Sequence, residues 1–370
     1  MKIATITCHD VYNYGASLQA YALQEYCRSL GCDYEIIDYK PPYLSNHYKL
    51  WSVANPVYDK PVVKQLYLAA KLPGRLSGLK RKRLFDVFRD KYFRLTPIRY
   101  ASADDIAKDC PDADVFIAGS DQIWNTFFQN GRDKAFYLDF VGNKGRKISY
   151  AASFATEKIY NDAEQDVAKW LKNFDAVSVR ESSALDLLSS LGREDGVLVS
   201  DPVFLLDRKR WEDLASDSSD TRQRNFDYIF LYDCEQSAKL RDIAIGLKAM
   251  SGCKIVAVSS TKGKYADENC SLSGPLEFLK LIKNSKYVVA NSFHALAFAL
   301  IFHKPFFIVN RSEGINTRMR DFLRLLSLDE RLIDSQRQLF LGAIDYDKVD
   351  GSLAKLINDS KEFIHTQIVK

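Results

Sequence analysis

The stretch 286–310 constrains the fold more than any other part of the chain. Tyr287–Ala290 is a β-branched and aromatic run, 295–302 is apolar at every position, and 306–309 is a second apolar run. Runs of these lengths predict strand, helix and strand, the unit from which parallel sheets are wound. Asn291, Ser292, Phe293 and His294 then fall in the turn after the first strand. Open α/β sheets place ligands beyond the carboxyl ends of their strands, and a helix beginning there aims unpaired N–H groups at the same spot. His294 is therefore the first candidate for chemistry, because an imidazole titrates near neutral pH and serves as acid, base or anion donor. A histidine satisfied inside a core is the ordinary alternative. The position between a strand end and a helix start, beside Asn291 and Ser292, weighs against it.

The same alternation recurs along the chain. Residues 3–8 read as a strand, Leu18 to Tyr26 takes up helical spacing, and 34–39 reads as a second strand. Pro41, Pro42, Pro56, Pro61 and Pro73 then break the rhythm, so 41–100 is expected as an insertion, irregular at least over 41–75. Strands follow at 115–119, 148–152, 176–179 and 197–200, with helices over 161–172 and 182–191. A charged connection covers 207–226 with one short helix near Trp211, and a second set follows. That set has strands at 228–232 and 254–259, helices over 236–250 and 275–284, the opening unit, and an amphipathic helix 317–326. The tail from 349 has helical spacing and can pack back across the first domain. The expected architecture is α/β, two Rossmann-like domains facing a cleft: 1–206, the linker 207–226, 227–348, and a terminal helix over 349–370.

With 370 residues and 46% apolar composition the chain can bury two ordinary cores. A net charge of +4 leaves no footprint for wholesale nucleic-acid binding. Seven scattered cysteines without a C-x-x-C pair suggest neither a disulfide framework nor a zinc site, and a cytoplasmic location fits best. The N-terminus has no signal-peptide core, and no segment has the roughly 18 apolar residues that span a bilayer. Residues 75–94 interleave eight Lys or Arg with Leu84, Phe85, Phe88, Tyr92 and Phe93. A basic amphipathic helix of this kind can touch anionic lipid at the inner face of a membrane; its plainer reading is a solvated face on a packed helix.

Three more turns follow predicted strands. Asp10, Asn13, Gly15 and Ser17 occupy the first, where Gly15 stands alone without the glycine spacing of a dinucleotide fingerprint. Gly119-Ser-Asp-Gln-Ile-Trp-Asn125 occupies the second; Asp121 or Asn125 can bind a sugar hydroxyl while Trp124 stacks on a sugar face, against an Asx-turn with a packed Trp. Arg180 ends the strand 176–179 and can grip a carboxylate or phosphate with two prongs, or pair with Glu181 or Asp201. Arg318 and Arg320 cannot share a helical face, and Lys304 reads as exposed. No ligand spacing around His294 suggests a metal.

Asn13-Tyr-Gly-Ala-Ser-Leu-Gln-Ala20, Gly119–Asn125, Ser178-Val-Arg-Glu181, Ser200-Asp-Pro202 and Asn291-Ser-Phe-His294 occur in an order and spacing that resembles the polysaccharide pyruvyl transferases, over roughly 1–330. The resemblance implies a two-domain GT-B-like fold without a cofactor. It also implies transfer of a pyruvyl group from phosphoenolpyruvate onto two hydroxyls of a sugar, as a ketal, in surface polysaccharide biosynthesis. The family's last motif reads Ser-Arg-Leu-His, with arginine and histidine on the donor; here Ser292 stands at the arginine position. On that basis Arg180, with Arg318 or Lys304 in place of the missing arginine, neutralises the donor beside Ser292. His294 then acts as acid or phosphate ligand, Asp10 or Asp121 is the base, and Asn13, Trp124 and Asn125 meet an acceptor that can be lipid-linked. Two other readings keep the fold: a glycosyltransferase using a nucleotide-sugar, and a non-catalytic scaffold of a polysaccharide assembly complex.

Overall fold

The structure is a computed structural model that describes residues 1–44, 61–259, 265–311 and 317–369. Its frame is a pair of parallel five-stranded sheets. The first contains β1 (Lys2–Ile6), β2 (Asp33–Tyr39), β3 (Leu95–Tyr100), β4 (Val115–Ala118) and β5 (Arg146–Ser149), in the order β3-β2-β1-β4-β5. Bridges from Ile148 to Ala176 and from Ala152 to Val179 extend it to a small pair, β6 (Ser178–Val179) and β7 (Val197–Leu198). The second contains β8 (Tyr228–Tyr232), β9 (Lys254–Ala257), β10 (Glu268–Asn269), β11 (Tyr287–Ala290) and β12 (Phe306–Ile308), in the order β10-β9-β8-β11-β12. Central strands such as β4, Val-Phe-Ile-Ala, are apolar without alternation because both faces are covered.

Helices α1 (Tyr14–Ser29), α2 (Pro61–Tyr92), α3 (Ala103–Lys108), α4 (Glu164–Leu171) and α5 (Ser183–Ser190) belong to the first half of the chain. α6 (Arg208–Ser216) lies in the connection, and α7 (Ala238–Ser251), α8 (Pro275–Lys283), α9 (Phe293–Ile301) and α10 (Thr317–Leu325) belong to the second half. α11 (Tyr346–Val369) returns to the first: Ser200 N donates to Ser360 Oγ at 2.7 Å, and Arg146 donates to Gln367. Asn13 caps α1 by accepting from Ala16 N at 3.2 Å. α9 is buried from Phe293 to Leu300, as a helix that is apolar at every position after His294 must be.

The expected insertion over 41–100 needs correction. Its residues 45–60 lie outside the described residues, but Leu95–Tyr100 is a strand paired with β2, and α2 runs on through Pro73 to Tyr92. Nor is the connection a loose tether. Trp211 of α6 is fully buried, its Nε1 donates to Val203 O at 2.9 Å, and its ring meets Phe298 edge-on at 4.9 Å. The two sheets share one apolar cluster, in which Ile3, Ile117 and Ile148 join Phe230, Val256 and Val288 through α1, α8 and α9. Tyr14 is a rivet in it: its ring stacks on Phe278 at 4.5 Å and its hydroxyl donates to Ser273 O at 3.1 Å.

Candidate active site

In each sheet the strand order reverses once, between β1 and β4 and between β8 and β11. Such switch points open a crevice at the strands' carboxyl ends. Asp121 follows β4 and His294 follows β11, so each stands at a switch point. The second is braced by Asn291, whose Nδ2 donates to Asp233 Oδ1 at 3.0 Å and whose Oδ1 accepts from Cys234 N at 2.8 Å. His294, in the first turn of α9, lies against Gly15 in the first turn of α1. A Cβ at position 15 would stand 2.0 Å from His294 Nδ1 and 2.4 Å from its Cγ. The glycine is needed for this approach rather than for its backbone angles.

Five ionisable groups converge there. Arg180 donates through Nη1 to Asp201 Oδ2, and its Nη2 stands 3.5 Å from Asp121 Oδ1, outside hydrogen-bond geometry. Arg318 Nη1, from the second half of the chain, donates to the same Asp121 oxygen at 3.4 Å. His294 Nε2 faces Asp201 Oδ2 at 3.4 Å, again outside hydrogen-bond geometry. Ser120 Oγ accepts from Arg180 Nη1 and donates to Asp201 Oδ2, both at 3.4 Å, and Phe293 lies under the guanidinium of Arg180 at 4.6 Å. Among the described residues, Arg180 Nε and Nη2, Arg318 Nε and His294 Nε2 are buried without a hydrogen-bond partner. Donors in that state ask for an acceptor that the protein itself does not supply.

Burial opposes charge on both aspartates and both arginines, and the neighbours decide the balance. Burial would raise the carboxyl of Asp201, but His294 and Arg180 outweigh it and hold the group well below its ordinary range. Asp121 is likewise depressed against its burial, by Arg180, His294 and Arg318. Arg318 is pushed down to about 10 by burial and by the charge of Arg180. Glu181 moves the other way: burial raises it despite Arg180 and despite the hydrogen bonds that its Oε1 accepts from Ala155 N and Ser153 Oγ, both at 2.9 Å. The side chain of Asp121 remains 16% exposed, against 1% for Arg180 and 0% for Asp201, so the cluster opens to solvent at Asp121. That residue is held at a left-handed φ of 74°, an uncommon conformation for a non-glycine residue. A cavity of about 240 Å³ adjoins the cluster, lined by Arg180, Glu181, Asp201, Phe293, Asp321 and Phe322.

The structure thus brings together His294, Arg180, Asp121 and Arg318. It places the other expected residues elsewhere. Trp124 is fully buried, stacked on Tyr137 at 5.4 Å with Nε1 donating to Phe136 O, so it has no face to offer a sugar. Asn125 is also fully buried; it donates to Gln122 Oε1 at 3.0 Å and accepts from Phe127 N at 3.2 Å. Lys304 precedes β12, at the amino end of the sheet opposite His294, and is half-buried rather than exposed. Asp10 Oδ2 is shared by Lys40 at 2.7 Å, Arg99 at 3.3 Å and Arg89 at 3.4 Å, a separate set of contacts on the first sheet. Asn13 is exposed at the cap of α1, and Ser292 occupies the cap position of α9 with no cap bond from its side chain. Of the paired arginines, Arg318 is buried and Arg320 reaches solvent, where it donates to Glu157 Oε1 at 2.6 Å. Asp201 and Gly15 were not among the expected site residues. The sequence offers Asp201 only as a partner for Arg180 and as part of the motif Ser200-Asp-Pro202, and that pairing is present; the contact at Gly15 crosses between distant parts of the chain. Among the described residues, no group of three His, Cys, Asp or Glu side chains is placed to hold a metal ion.

The family model described as polysaccharide pyruvyl transferase matches residues 13–313. No curated protein sequence matches the chain. Solved structures of similar fold include the UDP-GlcNAc 2-epimerase of Neisseria meningitidis bound to UDP-GlcNAc, with 9% identity, 100% of both chains covered and a TM-score of 0.51. The Methanocaldococcus jannaschii UDP-GlcNAc 2-epimerase in complex with UDP-GlcNAc and UDP is 13% identical, covers 100% of this chain and 99% of its own, and has a TM-score of 0.50. A further UDP-N-acetylglucosamine 2-epimerase is 11% identical over 98% of this chain and 95% of its own, with a TM-score of 0.54. At such identities they show the fold, the GT-B-like pair of Rossmann-like domains.

Proposed function

Because the chain belongs to the polysaccharide pyruvyl transferase family, we propose that it transfers the pyruvyl group of phosphoenolpyruvate onto two hydroxyls of one sugar, in surface polysaccharide biosynthesis. The observation that carries the reading is the meeting of Arg180 and Arg318, from the two halves of the chain, with buried N–H groups that have no partner. The donor bears a carboxylate and a phosphate, and two guanidiniums are suited to hold them. Arg318 thereby does the work of the family arginine that Ser292 replaces, and Ser292 borders the phosphate from the helix cap.

The reaction adds a proton to the methylene carbon, which makes the adjacent carbon electrophilic. One sugar oxygen bonds to that carbon, the C–O bond to phosphate breaks, and the second sugar oxygen closes the ketal. Of the two hydroxyl protons, one balances the methyl group and the other leaves with phosphate. His294 serves as the acid or as a phosphate ligand, beside Asp201 and against Gly15. Asp121 is the base that takes a hydroxyl proton. Against its burial, Arg180, His294 and Arg318 keep it ionised and weakly basic; an anionic donor that occupies the arginines raises its proton affinity, so base strength rises when the donor is bound. Asn13, exposed at the cleft side of α1, is the remaining candidate for acceptor contact.

The test is thermal unfolding with phosphoenolpyruvate or with a nucleoside diphosphate, since a ligand of the native state raises its apparent stability. Stabilisation by phosphoenolpyruvate, lost in His294→Ala and Arg180→Gln, is the expected outcome. Stabilisation by the nucleotide alone would assign the site to a nucleotide-sugar, and none by either would favour a non-catalytic scaffold.

A further inference from the structure

We propose that the outer face of α2 docks on an anionic lipid surface. Residues 61–85 contain seven Lys or Arg and no Asp or Glu. Leu66, Pro73, Leu76, Lys80, Arg83 and Val87 recur at helical spacing and are all exposed, with Leu66 at 68%, Leu76 at 49% and Val87 at 52%. Exposed Leu66, Leu76 and Val87 on one solvent-facing stripe with Lys80 and Arg83, largely within a stretch that has no acidic residue, are the pattern of a helix that lies in the interface of a membrane.

The plainer reading, a solvated face on a packed helix, accounts for one part of α2 but gives no reason for its exposed leucines. Its packed part is the other end, where Phe85 and Phe88 enter the shared core and Arg81 Nη2 donates to Tyr12 O at 2.8 Å. The contact surface therefore spans about two thirds of α2 and starts earlier than the basic amphipathic stretch 75–94. Apolar residues at such spacing also suit a helix pair. A second copy would set seven positive charges against seven, whereas an anionic lipid surface attracts them and accepts the leucines. Among the described residues no helix is long and apolar enough to cross a membrane, so the contact is peripheral. Arg81 joins this helix to the loop before Asn13, which brings the rim of the cleft near the surface where a lipid-linked acceptor would lie.

The experiment is co-sedimentation of the full chain with vesicles of equal parts phosphatidylglycerol and phosphatidylcholine, and of phosphatidylcholine alone. Binding only to the first, released by salt, is expected. Lys80→Gln with Arg83→Gln should lower the partition coefficient about 25-fold, at roughly fivefold per charge. Leu66→Ser with Leu76→Ser should weaken binding without changing its salt dependence. Equal binding by these variants, or none by the native chain, overturns the proposal. So does a dimer in sedimentation velocity that Leu76→Ser dissociates, which would assign the stripe to a second copy. Stabilisation by phosphoenolpyruvate is measured on the same variants, so a failed lipid contact is distinguished from a failed donor assignment.

Discussion

Gly15→Ala tests whether the contact between α1 and α9 sets the position of the His294 imidazole, to which the proposed function gives the acid or phosphate-binding role. The added Cβ would lie 2.0 Å from His294 Nδ1, and ordinary contact begins at 3.4 Å. The ring must therefore retreat by about 1.4 Å or the helices must part. Overpacking of this kind costs about 1–3 kcal/mol, and replacing glycine within a helix returns about 1 kcal/mol. The net loss of stability is expected to be about 0–2 kcal/mol, too small to unfold the protein. Catalysis is far more sensitive, since a misplacement of about 1 Å can cost a hundredfold. The assay is ketal formation followed by mass, with thermal unfolding on the same sample. The decisive comparison is the double variant: if the added methyl group acts through the imidazole, combining Gly15→Ala with His294→Ala changes the rate little beyond His294→Ala alone. Full activity in a folded Gly15→Ala protein would refute the argument.

Arg318→Gln should weaken phosphoenolpyruvate binding about tenfold to a hundredfold, the value of a charged hydrogen bond, while Lys304→Gln leaves it unchanged; calorimetric titration of both decides between them. Trp124→Leu should cost about 3 kcal/mol in denaturant unfolding through its lost stacking and hydrogen bond, with the acceptor KM unaltered, whereas a sugar platform would raise that KM. Asp121 and Asp201 are both depressed from an ordinary value of 3.8, so the stability they contribute is complete above about pH 4 and fades only as pH falls below it. Asp201→Asn should flatten that acid limb and, by leaving Arg180 buried without its partner, cost about 3–5 kcal/mol near neutral pH; equal acid unfolding of variant and native protein would contradict it.

The rhythm of strands and helices was legible because it rests on local periodicity, and the turn at His294 was legible because it follows from that rhythm. β3 was not: Pro97 lies inside it, and a proline is tolerated only because β3 is an edge strand paired on one side. α2 was hidden by Pro73 in the same way. Within the site, residue type and position after a strand pointed to Arg180 and Asp121. The direction of a side chain at such a turn is a tertiary fact, and Trp124 and Asn125 turn inward where Asp121 turns to the cleft. Whether Lys304 or Arg318 stood by Asp121 depended on which end of β12 each occupied.

The core that runs from Ile3 through Tyr14 to Val288 ties the fate of each sheet to the other. Cutting the chain between the sheets would strip α1 of Phe278 and Trp211 of Phe298, leaving large aromatic surfaces in water on both fragments. Neither half is a module that can be lent to another protein. Calorimetry should accordingly record one unfolding transition, and the cleft is held open or closed by packing that both halves must give up together.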